Sequence, residues 1–178
     1  MAFYSRYGFI VLVLSIAAWT LPASGQAIPT PEHKKMGYFT GHWKLQGTVR
    51  SLPNDPAEPF TTKEDTEWLP GGFFLETHAS MTTSAGETRS VRMMEYNVND
   101  NVYTYNVYNS VGDHLMATGH VQDNIWTWNS DASVNGLIIK GRYTVTIVSP
   151  AAYNFKYETL TNTGAWATIM EGTATISP

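Results

Sequence analysis

From Phe39 to Arg50 the chain alternates without a break. Phe39, Gly41, Trp43, Leu45, Gly47 and Val49 fall on one side; Thr40, His42, Lys44, Gln46, Thr48 and Arg50 fall on the other. A side-chain period of two marks a strand with one buried and one wet face. The pattern recurs down the chain. Thr61 to Leu69 reads as a polar strand, Pro70-Gly71-Gly72 as a turn, and Phe73 to Thr83 and Thr88 to Asn97 as the next two strands. Val102 to Asn109, His114 to Val121 and Ile125 to Asn129 follow, then a polar loop from Ser130 to Gly136. Leu137 to Val148, a strand through Tyr153, Phe155 and Tyr157, and Ala165 to Ile176 complete the series. About ten strands with turn signals roughly every ten residues indicate an all-β fold. Short hairpin connections favour an antiparallel up-and-down barrel, with a β-sandwich as the alternative, because closure removes exposed edges.

The first residues follow a different rule. Arg6 precedes an uncharged, mostly apolar stretch from Phe9 to Leu21, and small residues run from Pro22 to Ala27. This is the pattern of a secretory signal peptide over residues 1–27, and it predicts an exported protein, periplasmic or secreted. The stretch is shorter than the roughly 20 residues that span a bilayer, so no membrane span is expected after cleavage. Residues 28–37, with Pro29 and Pro31, read as a short linker with room for one helical turn; residues 38–178 read as one domain.

Charge and cysteine content narrow the function classes. Loss of Arg6 leaves 10 Lys+Arg against 15 Asp+Glu, so the formal charge moves from −4 to −5. Such a balance argues against a nucleic-acid partner, which needs a basic stripe. The cysteine count is zero, which excludes disulfides, a thiol nucleophile and a thiolate metal site. Stability must therefore come from the core, and 43% hydrophobic residues can supply one.

Several stretches carry a family resemblance. Phe39-Thr40-Gly41-His42-Trp43 resembles the Gly-x-Trp opening of lipocalin-like (calycin) barrels. Trp68-Leu69-Pro70-Gly71-Gly72-Phe73-Phe74-Leu75-Glu76 resembles the Leu-Gly-Gly-Arg-Phe-Leu step of the bacterial family called domain of unknown function 1579. Glu95-Tyr96-Asn97, then Tyr103, Tyr105, Gly112 and Gly119, and finally Met170-Glu171, resemble later motifs of that family. Glu95 stands where the family often has glycine, and Phe73 where it has arginine. The resemblance implies a lipocalin-like barrel and no reaction. Nitrobindin-type haem barrels share the Gly-x-Trp opening, but they need a histidine near the C-terminus, and none follows His120. No cofactor is expected.

The chemistry-bearing candidates are mainly aromatic. Trp43, Tyr103, Tyr105, Trp126 and Trp128 sit at strand spacing, and each large ring can bury ~150–250 Å². They either fill a barrel core or line a cavity of a few hundred Å³ for a small apolar or amphipathic ligand. Glu76 and His78 share a strand face and could trade a proton, yet two groups are too few for a metal site. Glu95, Glu158 and Glu171 are candidates for an inward carboxylate pair, and Arg92 and Arg142 for contacts to an acidic head group. His33 and His42 read as solvated. The strand from Thr88 to Asn97 mixes Val91 and Met93 with Arg92 and Met94, so its inward face is not fixed by the pattern. No nucleophile elbow, phosphate loop or zinc-protease helix occurs. The reading is a ligand-binding barrel; a barrel enzyme using Glu or His, and a structural or protein-binding envelope module, are the alternatives.

Overall fold

The computed structural model describes residues 28–177 apart from residues 135 and 136; the leader assigned to residues 1–27 lies outside the described residues. Ten antiparallel strands form a closed barrel: β1 (Gly41–Val49), β2 (Glu58–Trp68), β3 (Phe74–Thr83), β4 (Gly86–Asn97), β5 (Val102–Asn109), β6 (His114–Gln122), β7 (Ile125–Val134), β8 (Leu137–Ser149), β9 (Ala152–Leu160) and β10 (Trp166–Ile176). Every strand pairs with its chain neighbours, and β1 pairs with β10 from Trp43↔Ile176 to Val49↔Met170. The sandwich alternative is thereby set aside. β7 runs on through Asp131, Ala132 and Ser133, where the sequence suggested a polar loop, because these residues pair with Lys140, Ile139 and Ile138 of β8.

Alternation decides what lies inside. Trp43 and Leu45 of β1, Leu75 of β3, Tyr103 of β5, Trp126 and Trp128 of β7, and Tyr153 and Phe155 of β9 form one buried cluster. Their rings touch in series: Tyr103–Trp126 at 4.7 Å, Trp126–Trp128 at 5.6 Å and Trp43–Tyr153 at 5.0 Å between centroids. Such offset and tilted contacts add about 0.5–1.5 kcal/mol each beyond area burial.

The rings need bare backbone to lie on. Gly119 faces Trp128 directly across the β6–β7 pair, and Gly172 faces Phe155 across β9–β10. A β-carbon on Gly119 would stand 2.2 Å from the Thr127 carbonyl oxygen and 2.8 Å from Trp128 Cδ1. One on Gly172 would stand 2.8 Å from Phe155 Cζ. The indole and the phenyl ring occupy space that any other residue would claim.

The segment read as a linker does more than link. α1 (Pro31–Lys35) and a 3₁₀ turn (Met36–Phe39) plug one end of the barrel. Met36 is wholly buried, and Phe39 belongs to the turn instead of opening β1. Side-chain hydrogen bonds tie the plug down. Tyr103 Oη donates to Glu32 Oε2 at 2.6 Å, Tyr38 Oη to the Ser149 carbonyl at 2.9 Å, and Trp43 Nε1 to the Phe39 carbonyl at 3.0 Å. His33 is not solvated as the sequence suggested, but only 3% exposed. Its Nδ1 accepts the Thr30 backbone N–H at 3.1 Å, and its ring meets Phe73 and Tyr96 edge-on. The histidine stands at the N3 position, where a capping box usually carries Glu or Gln.

Two expectations follow. Gly119→Ala should destabilise the barrel by about 1–3 kcal/mol through overpacking, measured by urea unfolding. Burial lowers the His33 pKa, opposed by Glu95. A depressed histidine binds fewer protons folded than unfolded, so its contribution is present above the unfolded value of about 6.5 and lost as pH falls through the lower folded value. Melting curves between pH 7.5 and 5, on the order of that window, should therefore show a steeper acid loss for the native chain than for His33→Gln.

Candidate functional site

One pleat inward from the plug, the barrel turns polar. Thr62, Glu64 and Thr66 of β2 are all buried, on the same face as Phe60. Arg92 and Met94 of β4 point in, and Val91 is exposed on the outer face, so the ambiguous strand resolves without a bulge between β3 and β4. Arg92 Nη1 donates to Glu64 Oε1 and, at 3.4 Å, to Tyr105 Oη. Thr66 and Thr77 share a hydroxyl hydrogen bond at 2.8 Å beside them. The ion pair is well shielded, with the Arg92 and Glu64 side chains 18% and 6% exposed.

A chamber of about 30 Å³ remains beside this pair. That is room for one or two waters, each needing at least ~10–15 Å³. Tyr105, Tyr143, Tyr153 and Trp128 form much of its wall. Burial pushes all three phenols up, most strongly Tyr143 and Tyr153, so they stay neutral hydroxyl donors. Burial also works against the Arg92 charge, yet its pKa is raised, with the Glu64 carboxylate the leading favourable influence. The buried Trp128 indole N–H has no hydrogen-bond partner among the described residues. Both Arg92 contacts leave from Nη1, so the rest of the guanidinium fork takes no part in them. Arg92 and Trp128 can only donate here, whereas each hydroxyl can donate or accept.

A second opening lies in the barrel wall. β6 and β7 are in register only from Gln122↔Ile125 to Ala117↔Ser130, although both strands continue past that rung. The unpaired stretch borders a cleft of about 600 Å³ lined by Val107, Leu115, Met116 and Ala132, with Asp113 and Asp131 at its rim. From the cleft towards the chamber the inner wall is made of small residues, Ala117, Ser130 and Gly141, in one rung with Tyr105.

The residues singled out in the sequence divide into three places. Trp43, Tyr105 and Trp128 line the chamber. Tyr103 and Trp126 are buried one pleat away, against the plug. Glu76 and His78 sit on the outer face of β3, paired with each other at 2.9 Å, away from the other five. The proposed inward carboxylates face out: Glu95 accepts from Thr104, Glu158 pairs with Arg142 at 2.8 Å beneath the Trp166 ring, and Glu171 is exposed. No group of three or more His, Asp or Glu poised for a metal occurs among the described residues. Sequence reasoning missed Glu64. Its signal was parity, since Phe60, Thr62, Glu64, Thr66 and Trp68 share one face whose ends are aromatic.

The family model for a protein of unknown function, DUF1579, matches residues 28–175. The chain belongs to the DUF1579 family. No curated protein matches it. The match begins ahead of α1, so within this DUF1579 protein the plug is part of the family domain. No helix among the described residues is long and apolar enough to cross a membrane.

Loss of the carboxylate should expose how strongly the polar interior is coupled. Glu64→Gln keeps the volume but strands the Arg92 charge, so stability should fall by about 3–5 kcal/mol, read by chemical denaturation. Glu64→Gln combined with Arg92→Met should recover most of that loss, because the unpaired charge is gone.

Proposed function

We propose that this is an exported barrel that binds a small amphipathic molecule, its acceptor-bearing head beside Arg92 and Trp128 and its apolar body in the β6–β7 cleft. The observation that carries the reading is the unpartnered, buried indole N–H of Trp128, a residue of the chamber wall that Arg92 also lines. An unsatisfied buried donor costs ~1–3 kcal/mol, and a ligand acceptor removes that cost. The head group is small, because the chamber is; the bulk of the ligand belongs in the cleft, whose volume lies in the usual range of ligand pockets, ~300–1,000 Å³. Val107, Leu115 and Ala132 supply apolar contact there, and the Ala117–Ser130–Gly141 rung lies between cleft and chamber, with the Tyr157 hydroxyl packed over Gly141, so that ring must swing aside to admit the head. The barrel-enzyme reading has less behind it, since Glu76 and His78 bond to each other on the solvent side.

Decanoate, a carboxylate on an apolar chain, is a suitable probe. Titration calorimetry should show saturable binding of the acid and none of the matching alcohol. Trp128→Phe keeps the ring and removes the donor, and should weaken binding about tenfold. Absence of binding, or equal affinity in Trp128→Phe, overturns the proposal.

A further inference from the structure

The outer face of β1–β5 carries a second candidate site, independent of the interior. Lys44 and Lys63 stand directly opposite each other on β1 and β2. Like charges at directly opposed positions destabilise a sheet. Among the described residues neither ammonium forms an ion pair, although the chain has 15 acidic residues to offer. The register extends the pattern. Lys44 is flanked by Thr175 of β10, Lys63 by Ser80 of β3, and Ser80 by Arg89 of β4. Beyond Arg89, whose backbone N–H donates to Ser110 Oγ at 3.1 Å, the line ends on a further hydroxyl. One rung across six consecutive positions of the wall is thus built of cations and hydroxyls; Arg89 is held by Glu87 at 2.7 Å, which leaves Lys44 and Lys63 as its unpaired charges.

This rung lies in a broad groove of about 800 Å³. The adjoining rung gives it an apolar floor, where Val91 opposes Tyr108 and the tyrosine ring is 54% exposed. His42 and Asp65 close that side and are bonded to each other at 3.1 Å. A local rule broken without compensation inside the chain points to compensation from outside it.

We infer that the groove binds a segment of acidic polysaccharide, with sugar carboxylates between Lys44 and Lys63, sugar hydroxyls on Ser80, Ser110 and Thr175, and a sugar face on Tyr108. Ammonium groups match carboxylates, and hydroxyls both donate and accept, as a glycan requires. A nucleic acid fits less well. Its bases would need aromatic stacking platforms along the groove, and Tyr108 is the one exposed tyrosine or tryptophan among the residues that line it.

The test is fluorescence anisotropy with a labelled galacturonic-acid oligomer at low salt. Saturable binding that weakens with added salt is expected, with no binding of the neutral galactose oligomer. Lys44→Gln with Lys63→Gln, both at exposed positions, should weaken it about tenfold or more. Lys140→Gln with Lys156→Gln, on β8 and β9, should leave it unchanged. No binding, equal loss in the control pair, or equal binding of oligothymidylate overturns the inference. Trp128→Phe touches the interior alone and the Lys44 and Lys63 substitutions the groove alone, so the two proposals fail separately.

Discussion

Backbone pairing between the first strand and the last holds the architecture together. Until β1 meets β10, the meander is an open sheet with one apolar face and two unpaired edges. Closure wraps that face inward, and only then do Trp43 and Leu45 meet Tyr153 and Phe155 from the far end of the sequence. The aromatic core, the plug and the chamber are all consequences of this long-range contact. Because it joins residues more than a hundred positions apart, this pairing carries the largest loop-closure cost of any strand pair in the barrel.

Inside the closed wall, apolar and polar layers divide the volume. The plug end is aromatic and apolar: Met36, Phe39, Tyr103 and Trp126 are all buried there, with the Trp126 ring against both Phe39 and Tyr103. One pleat further in, Glu64 and Arg92 form an ion pair whose desolvation cost exceeds what a hydrophobic pair of the same size would incur. Stability alone does not explain such a pair. It shares the chamber wall with Trp128, whose indole N–H is unpartnered, and the proposed head-group site is built on that pairing of features.

The fold was legible because a period of two survives in most strands, as in Trp43 and Leu45 or Tyr153 and Phe155, and because glycine, proline and asparagine mark the turns. The family motifs agreed with it. The chamber was only half legible. Its aromatic wall showed as spacing, but its charged pair did not. Glu64 reads as wet because its neighbours on both faces of β2 are polar, and hydropathy cannot separate an inward carboxylate from an outward one. Arg92 is inward through the Thr77↔Arg92 register, which is tertiary information. Ser130 to Ser133 looked like a loop because its pairing partner is a neighbouring strand rather than any apolar pattern of its own. His33 looked solvated because its burial comes from Phe73 and Tyr96, forty and more residues away.

The match between Gly119 and Trp128 also constrains how the sequence can drift. A side chain at 119 collides with the indole, whereas a small residue at 128 leaves a void over the glycine. Neither position can change profitably by itself. The glycine is the stricter partner, because the Thr127 carbonyl oxygen also bars a β-carbon at 119, so a lineage that lost the indole would still inherit the bare backbone beneath it.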